Sequence, residues 1–150
     1  MLGDWQLSGI YSYYSGTPLN ITGSGSLLNT PGNTLYPNLV GTQSVLGGLG
    51  PGLKYFDTAA YALPPAATFG SMTRNSGPDG PGFWELDMSL FKRFKINDRM
   101  TGEFRIDAFN VTNSVRWGNP NTSFGSATFG EINGTNGDQR RLRFGGRFTF

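Results

Sequence analysis

The residues able to do chemistry are four carboxylates and a set of arginines at two-residue spacing. Glu85 and Asp87 alternate along one extended stretch, Glu103 and Asp107 along the next, and Arg93, Arg105, Arg143 and Arg147 fall at the same parity. A pair of carboxylates on one wall is what glycoside hydrolysis requires. Carboxylates interleaved with arginines fit better as a charge network on a wetted strand face, and that is the reading adopted. The sequence has neither histidine nor cysteine. Histidine general-base chemistry, Ser-His-Asp triads, Cys/His zinc sites and disulfide scaffolds are therefore excluded. Asp57, Asp79 and nearby asparagines offer oxygen ligands to calcium, but without regular ligand spacing. The run Gly47-Gly48-Leu49-Gly50-Pro51-Gly52 is no phosphate loop, because no lysine follows at the required place and no strand-to-helix context exists. The expectation is a protein that is not an enzyme, with no catalytic residue, no cofactor and no metal.

The elements that must position these charges are strands. The last stretch, residues 139–150, reads QRRLRFGGRFTF. Its even positions from Leu142 are Leu142, Phe144, Gly146, Phe148 and Phe150, and its odd positions hold Arg141, Arg143 and Arg147. Side chains alternate across a strand, so one face is apolar and the other cationic. Three more stretches alternate in the same way, at about 4–14, 83–96 and 100–111. In the first, Trp5, Leu7, Gly9, Tyr11 and Tyr13 share a face, with aromatics at both ends. In the second, Trp84, Leu86, Met88, Leu90, Lys92, Phe94 and Ile96 oppose Glu85, Asp87, Ser89 and Arg93. In the third, Met100, Phe104, Ile106 and Ala108 oppose Glu103, Arg105 and Asp107. With 23 glycines and 9 prolines puncturing every candidate helix, the fold class is all-β.

Parity sets the register, because a one-residue slip inverts a face. Pairing Ile96 with Met100 leaves the three-residue turn Asn97-Asp98-Arg99. Arg93 then faces Glu103 and Ser89 faces Asp107, whereas a two-residue slip would set Arg93 against Arg105. If Phe150 lies near Met100, Glu103 faces Arg147 and Asp107 faces Arg143. Between the strands, about 15–82 is read as one long loop, with 22–81 free of any period. Residues 112–138 form a second loop. Within them, Tyr55-Phe56-Asp57 and Tyr61-Ala62-Leu63-Pro64 form a possible small aromatic cluster, and Tyr55, Phe56, Tyr61 and Trp117 are candidate loop contacts for a ligand.

Long connections at one end of the strands and a short turn at the other, with one apolar and one charged face, are the layout of an outer-membrane barrel. The fold expected is an antiparallel transmembrane β-barrel segment of about four strands, an incomplete barrel, with long extracellular loops. The alternative is a soluble β-sandwich that binds carbohydrate or another surface. The two differ in where the apolar faces go. A sandwich converges Leu86, Leu90, Phe104 and Phe148 on a dry core. A barrel wall exposes them as a band, with Glu85, Asp87, Arg105 and Arg143 on the concave side. The net charge of +2, with acids interleaved among the bases, gives no reason to expect nucleic acid. No apolar run reaches the length of a membrane helix. Met1-Leu2-Gly3-Asp4 lacks the basic start and apolar core of a signal peptide, so a piece of a longer chain is expected.

Several phrases resemble the C-terminal end of a TonB-dependent outer-membrane receptor of the Oar-like group. They are Tyr14-Ser15-Gly16-Thr17-Pro18-Leu19, residues 55–61 (YFDTAAY), residues 80–92 (GPGFWELDMSLFK), residues 104–113 (FRIDAFNVTN), residues 117–122 (WGNPNT) and the ending 142–150 (LRFGGRFTF). The resemblance implies a large barrel with a plugged lumen, of about 22 strands. It implies residence in the bacterial outer membrane and uptake of a large or scarce solute. The partners it implies are outer-membrane lipid, the remainder of the receptor barrel and its plug, the TonB energy-coupling complex and the barrel-assembly machinery. The last of these would read the terminal strand, with Phe144, Phe148 and Phe150 as the assembly signal. Plug, coupling box and signal peptide have no counterpart in this sequence.

Overall fold

Strand-forming stretches that alternate apolar and charged residues need neighbours for their backbone groups before they need a core. A computed structural model, which describes residues 3–30 and 32–150, shows how those groups are satisfied. The Met1–Leu2 start, on which the signal-peptide reading falls, lies outside the described residues. In chain order the strands are β1 (Trp5–Tyr14), β2 (Asn38–Leu39), β3 (Tyr61–Ala62), β4 (Phe83–Lys95), β5 (Thr101–Phe109) and β6 (Arg141–Thr149). The chain divides into two compact units. One comprises Met1–Tyr14, Phe83–Arg116 and Gly137–Phe150, and the other Ser15–Gly82 and Trp117–Asn136.

The first unit is an antiparallel sheet in the order β1-β4-β5-β6. Its registers are those that parity and charge pairing require. Arg93 opposes Glu103 and Ser89 opposes Asp107 across β4 and β5, and Glu103 opposes Arg147 and Asp107 opposes Arg143 across β5 and β6. Ile10 opposes Asp87 and Tyr11 opposes Leu86 across β1 and β4. The hairpin between β4 and β5 closes through Ile96 N–H donating to the Met100 carbonyl at 2.9 Å. Asn97 Oδ1 accepts from Arg99 N–H at 2.9 Å, the side-chain-to-backbone bond that favours asparagine at a turn. Gly102 sits opposite Phe94, whose ring edge occupies the space a Cβ there would need.

β5 stops at Phe109, although the alternation runs on to Val111. Asn110 turns the chain with a left-handed φ of 48°, a conformation asparagine tolerates better than most residues. Its side chain is 8% exposed and fully used. The amide Nδ2 donates to the carbonyls of Ser114 (3.0 Å) and Asp138 (3.1 Å), and Oδ1 accepts from Ser114 N–H at 2.9 Å.

The sheet has no dry core. Leu7, Tyr11 and Tyr13 on β1 are 63–67% exposed, Phe104 is 38% exposed, and Phe144 and Phe148 are each 64% exposed. Leu86, Leu90, Phe104 and Phe148 thus do not converge, which removes the reason to read a sandwich. Burying one such side chain is worth about 1.5–3 kcal/mol, so this face gains its stabilisation only from an apolar surrounding. Trp84 and Phe94 bound the band on β4. Ten residues at about 3.3 Å, tilted by about 40°, span about 25 Å, the height of the apolar belt of an outer-membrane barrel.

The second unit gives the long 15–82 connection a packed interior, and the aromatic cluster expected around Tyr55, Phe56 and Tyr61 lies within it. That segment and 117–136 together enclose the largest buried core: Leu19, Ile21, Tyr55, Phe56, Ala60, Tyr61, Met72, Phe129 and Ile132. Phe56 and Ile132 are 0% exposed. Phe129 stands edge-on to Phe56, Tyr61 and Phe124, with ring centres 5.2–5.8 Å apart. β2 pairs with β3, and the backbone is otherwise tied by single bridges such as Pro18 with Asp79, Thr22 with Ser123 and Lys54 with Glu131. Gly16 must be glycine, because a Cβ there would overlap the Gly80 carbonyl. What hides this interior from a local reading is contact range. Ile21 and Phe56 meet Phe129 and Ile132 from distant parts of the chain, so no local period signals the core.

Candidate functional site

The eight charged residues singled out in the sequence share one face of the sheet. Glu85, Asp87 and Arg93 lie on β4, Glu103, Arg105 and Asp107 on β5, and Arg143 and Arg147 on β6, with Glu85 and Asp87 paired to β1 and the others paired across β4, β5 and β6. Arg93 grips Glu103 through Nη2 at 2.9 Å and Nε at 3.0 Å. Asp107 Oδ1 accepts from Ser89 Oγ at 2.6 Å and from Arg105 Nε at 2.8 Å. Asp87 Oδ1 accepts the backbone N–H of Asn110 at 2.8 Å, so it anchors the end of β5. Among the described residues Glu85 forms no ion pair.

This arrangement leaves β6 cationic. Arg147 and Arg143 face Glu103 and Asp107 in register, but Arg93 and Arg105 already hold those carboxylates, and Arg141 lies 3.9 Å from Asp138. Arg143 and Arg141 lie 5.9 Å and 5.3 Å from the centre of the Phe109 ring. Ser8, Ile10, Asp87, Ser89, Arg105 and Arg143 border an open hollow of about 360 Å³ on this face. The hollow offers hydroxyls, carboxylates and guanidinium groups to a polar solute.

The apolar face carries the three residues of the expected assembly signal. Phe144 and Phe148 project from β6, and Phe150 follows the strand with 94% of its surface exposed. The candidate ligand contacts in the second unit need correction. Tyr55, Phe56 and Tyr61 are 7%, 0% and 6% exposed, because their rings are spent on one another and on Phe129. They form the core of their unit and offer no open ring face to a ligand. Trp117 is half-buried and packs against the same core.

Within the second unit, Lys54 Nζ and Glu131 Oε1 pair at 3.0 Å, and Glu131 Oε2 accepts from Gly52 N–H at 3.1 Å. These bonds, the Lys54 one foremost, hold the Glu131 carboxyl below the usual glutamate value. Burial, reinforced by Asp57, pushes the Tyr61 phenol up to about 12.

Sequence reasoning missed two features. Asn110 was visible only as one asparagine of the stretch 110–113. Tyr14 and Phe83 stack at 4.7 Å with 16° between their planes, and the Arg116 guanidinium lies 3.9 Å from the Phe83 ring centre. The signal for that stack was two aromatics at polar-face positions. Lys92 falls on the apolar face by parity, and the structure sets its ammonium 4.4 Å from the centre of the Trp5 ring.

Comparison with curated proteins and with solved structures finds no match. A family model described as an outer membrane beta barrel domain matches residues 1–143. That match agrees with an open antiparallel sheet, one face exposed and apolar, the other lined with charge. Four strands at about 4.8 Å cover roughly 19 Å, and the smallest barrels have about eight, so this sheet is an incomplete barrel wall of the bacterial outer membrane. The chain belongs to the outer membrane β-barrel domain family.

Proposed function

We propose that this wall is the C-terminal part of a TonB-dependent receptor of the Oar-like group, which takes up a large or scarce solute. The observation that carries the reading is the continuous charged face. It gives the sheet a wet side, suited to a lumen, behind a lipid-facing band. The resembling phrases support reading the chain as the C-terminal part of such a receptor. On this reading the remaining strands and the plug complete the barrel, and the TonB energy-coupling complex drives transport through the full receptor. The barrel-assembly machinery reads the strand that carries Phe144, Phe148 and Phe150. The role is transport, without a chemical step.

The test is a growth comparison across a panel of sole nutrient sources. Cells lacking this gene are set against cells lacking the energy-coupling protein. The reading expects both to lose growth on a shared source. Growth that depends on this gene but survives loss of the coupling protein would exclude a TonB-dependent receptor and leave a passive barrel.

A further inference from the structure

The apolar face of the sheet carries a single charge. Across β1, β4, β5 and β6 the side chains on that face are aromatic, aliphatic, methionine or glycine, with the exception of Lys92. Lys92 pairs in register with Trp5, and its ammonium sits over the Trp5 ring. Among the described residues, no carboxylate lies within ion-pair distance of it. An ammonium on a lipid-facing strand is strongly destabilising at the midplane and close to neutral near an interface. Its position along the strand therefore decides what it does.

Lys92 lies two residues from Phe94, which bounds the band on the side of the short hairpin. Two residues of tilted strand place its Cα about 5 Å inside the apolar belt. A lysine stem is long enough to carry the charge from there to the headgroups while its methylenes stay on apolar surface. The Trp5 ring holds the ammonium on that path, since a cation is attracted to the face of an indole. Trp5, the register partner of Lys92, carries a second donor in its indole N–H. Two donors at headgroup depth, one of them cationic, fit the oxygens of a phosphate diester. The short turn marks the periplasmic side of a barrel.

We propose that Lys92 and Trp5 form a binding site for the phosphate of a phospholipid in the periplasmic leaflet. The site pins the depth of the β1–β4 edge of the wall. It needs only the lipid-facing placement of the apolar face and does not depend on which solute the barrel carries.

The test inserts the complete chain into vesicles of digalactosyldiacylglycerol, a bilayer lipid without phosphate. The vesicles are doped with phosphatidylglycerol brominated in its acyl chains, and tryptophan fluorescence reads quenching by neighbouring lipid. The wild type is expected to show about fivefold enrichment of the brominated phospholipid over its bulk fraction, the ratio expected for one basic side chain beside an anionic headgroup. Lys92→Gln should fall to the bulk value and Lys92→Arg should keep the enrichment. Trp84 and Trp117 contribute equally in all three proteins. Brominated galactolipid should quench wild type and Lys92→Gln alike, which separates loss of the phosphate site from loss of insertion. Enrichment that survives in Lys92→Gln, or its absence in the wild type, overturns the proposal. Wild-type protein quenched by neither brominated lipid overturns it together with the lipid-facing placement.

Discussion

The Tyr61 hydroxyl is buried with no hydrogen-bond partner among the described residues. Replacing Tyr61 by Phe keeps the ring against Phe56 and Phe129, at 5.7 and 5.8 Å between centres, and removes the stranded group. A buried polar group left unpaired costs about 1–3 kcal/mol, so Tyr61→Phe should stabilise the second unit by about 1 kcal/mol or more. The same substitution should change the alkaline limb. The phenol rises from an ordinary value of 10.0 to about 12 in the fold. Within that window the unfolded chain has lost the proton that the folded chain retains. The unfolded state binds fewer protons there, so stability falls as pH rises. At 1.36 kcal/mol per unit, the loss is of order 2–3 kcal/mol across the window. It should be absent in Tyr61→Phe, apart from a remnant from Tyr55, which burial also raises. Guanidinium unfolding in detergent micelles, followed through Trp117 at a series of pH values from neutral upward, reads both effects. A variant about 1 kcal/mol less stable than wild type, or an unchanged alkaline limb, would show that the hydroxyl has a partner and refute the argument.

Phe56→Ala should cost about 3–5 kcal/mol in the same unfolding assay, since Phe56 is wholly buried at the centre of its unit. A cost below about 1 kcal/mol would mean the second unit is not a packed core. Asp107→Arg should strongly impair folding, because Asp107 accepts from Ser89 and Arg105 and faces Arg143. Adding Arg143→Asp should recover part of the folded yield on a gel that separates folded from unfolded barrels. A neutral single variant or an unimproved double variant would contradict the register. Glu131 stabilises its unit above the ordinary carboxylate range, and the contribution should fade as pH falls through its depressed folded value. Glu131→Gln should therefore flatten the acid limb of stability, measured by the same unfolding at falling pH.

The sheet was legible because alternation is local. Residues such as Leu86 and Glu85 announce opposite faces, and the signs of Arg93, Glu103 and Asp107 select one register from those that parity allows. The second unit was not legible because Leu19, Ile21, Phe56, Phe129 and Ile132 are scattered among glycines and prolines with no period. Their contacts become visible only once the distant segments meet. Tyr55, Phe56 and Tyr61 were therefore open to reading as ligand contacts, when their partners were one another. The end of β5 was obscured in another way. Alternation runs past Phe109, and only the left-handed turn at Asn110, with its side chain bonded to Ser114 and Asp138, stops the strand. The cationic excess of β6 was half visible, since Arg143 and Arg147 were placed opposite acids that other arginines already hold.

The sequence has no cysteine, so a spin label can be attached at single introduced cysteines without a background. Labels at positions 85–90 and 103–108, in protein inserted into lipid vesicles, are scored for collision with oxygen, which partitions into lipid, and with a water-soluble nickel chelate. A barrel wall predicts strict alternation. Oxygen should win at Leu86, Met88, Leu90, Phe104, Ile106 and Ala108, and the chelate at Glu85, Asp87, Ser89, Glu103, Arg105 and Asp107. Even positions shielded from both reagents, or no alternation at all, would contradict a wall with lipid on one side and water on the other.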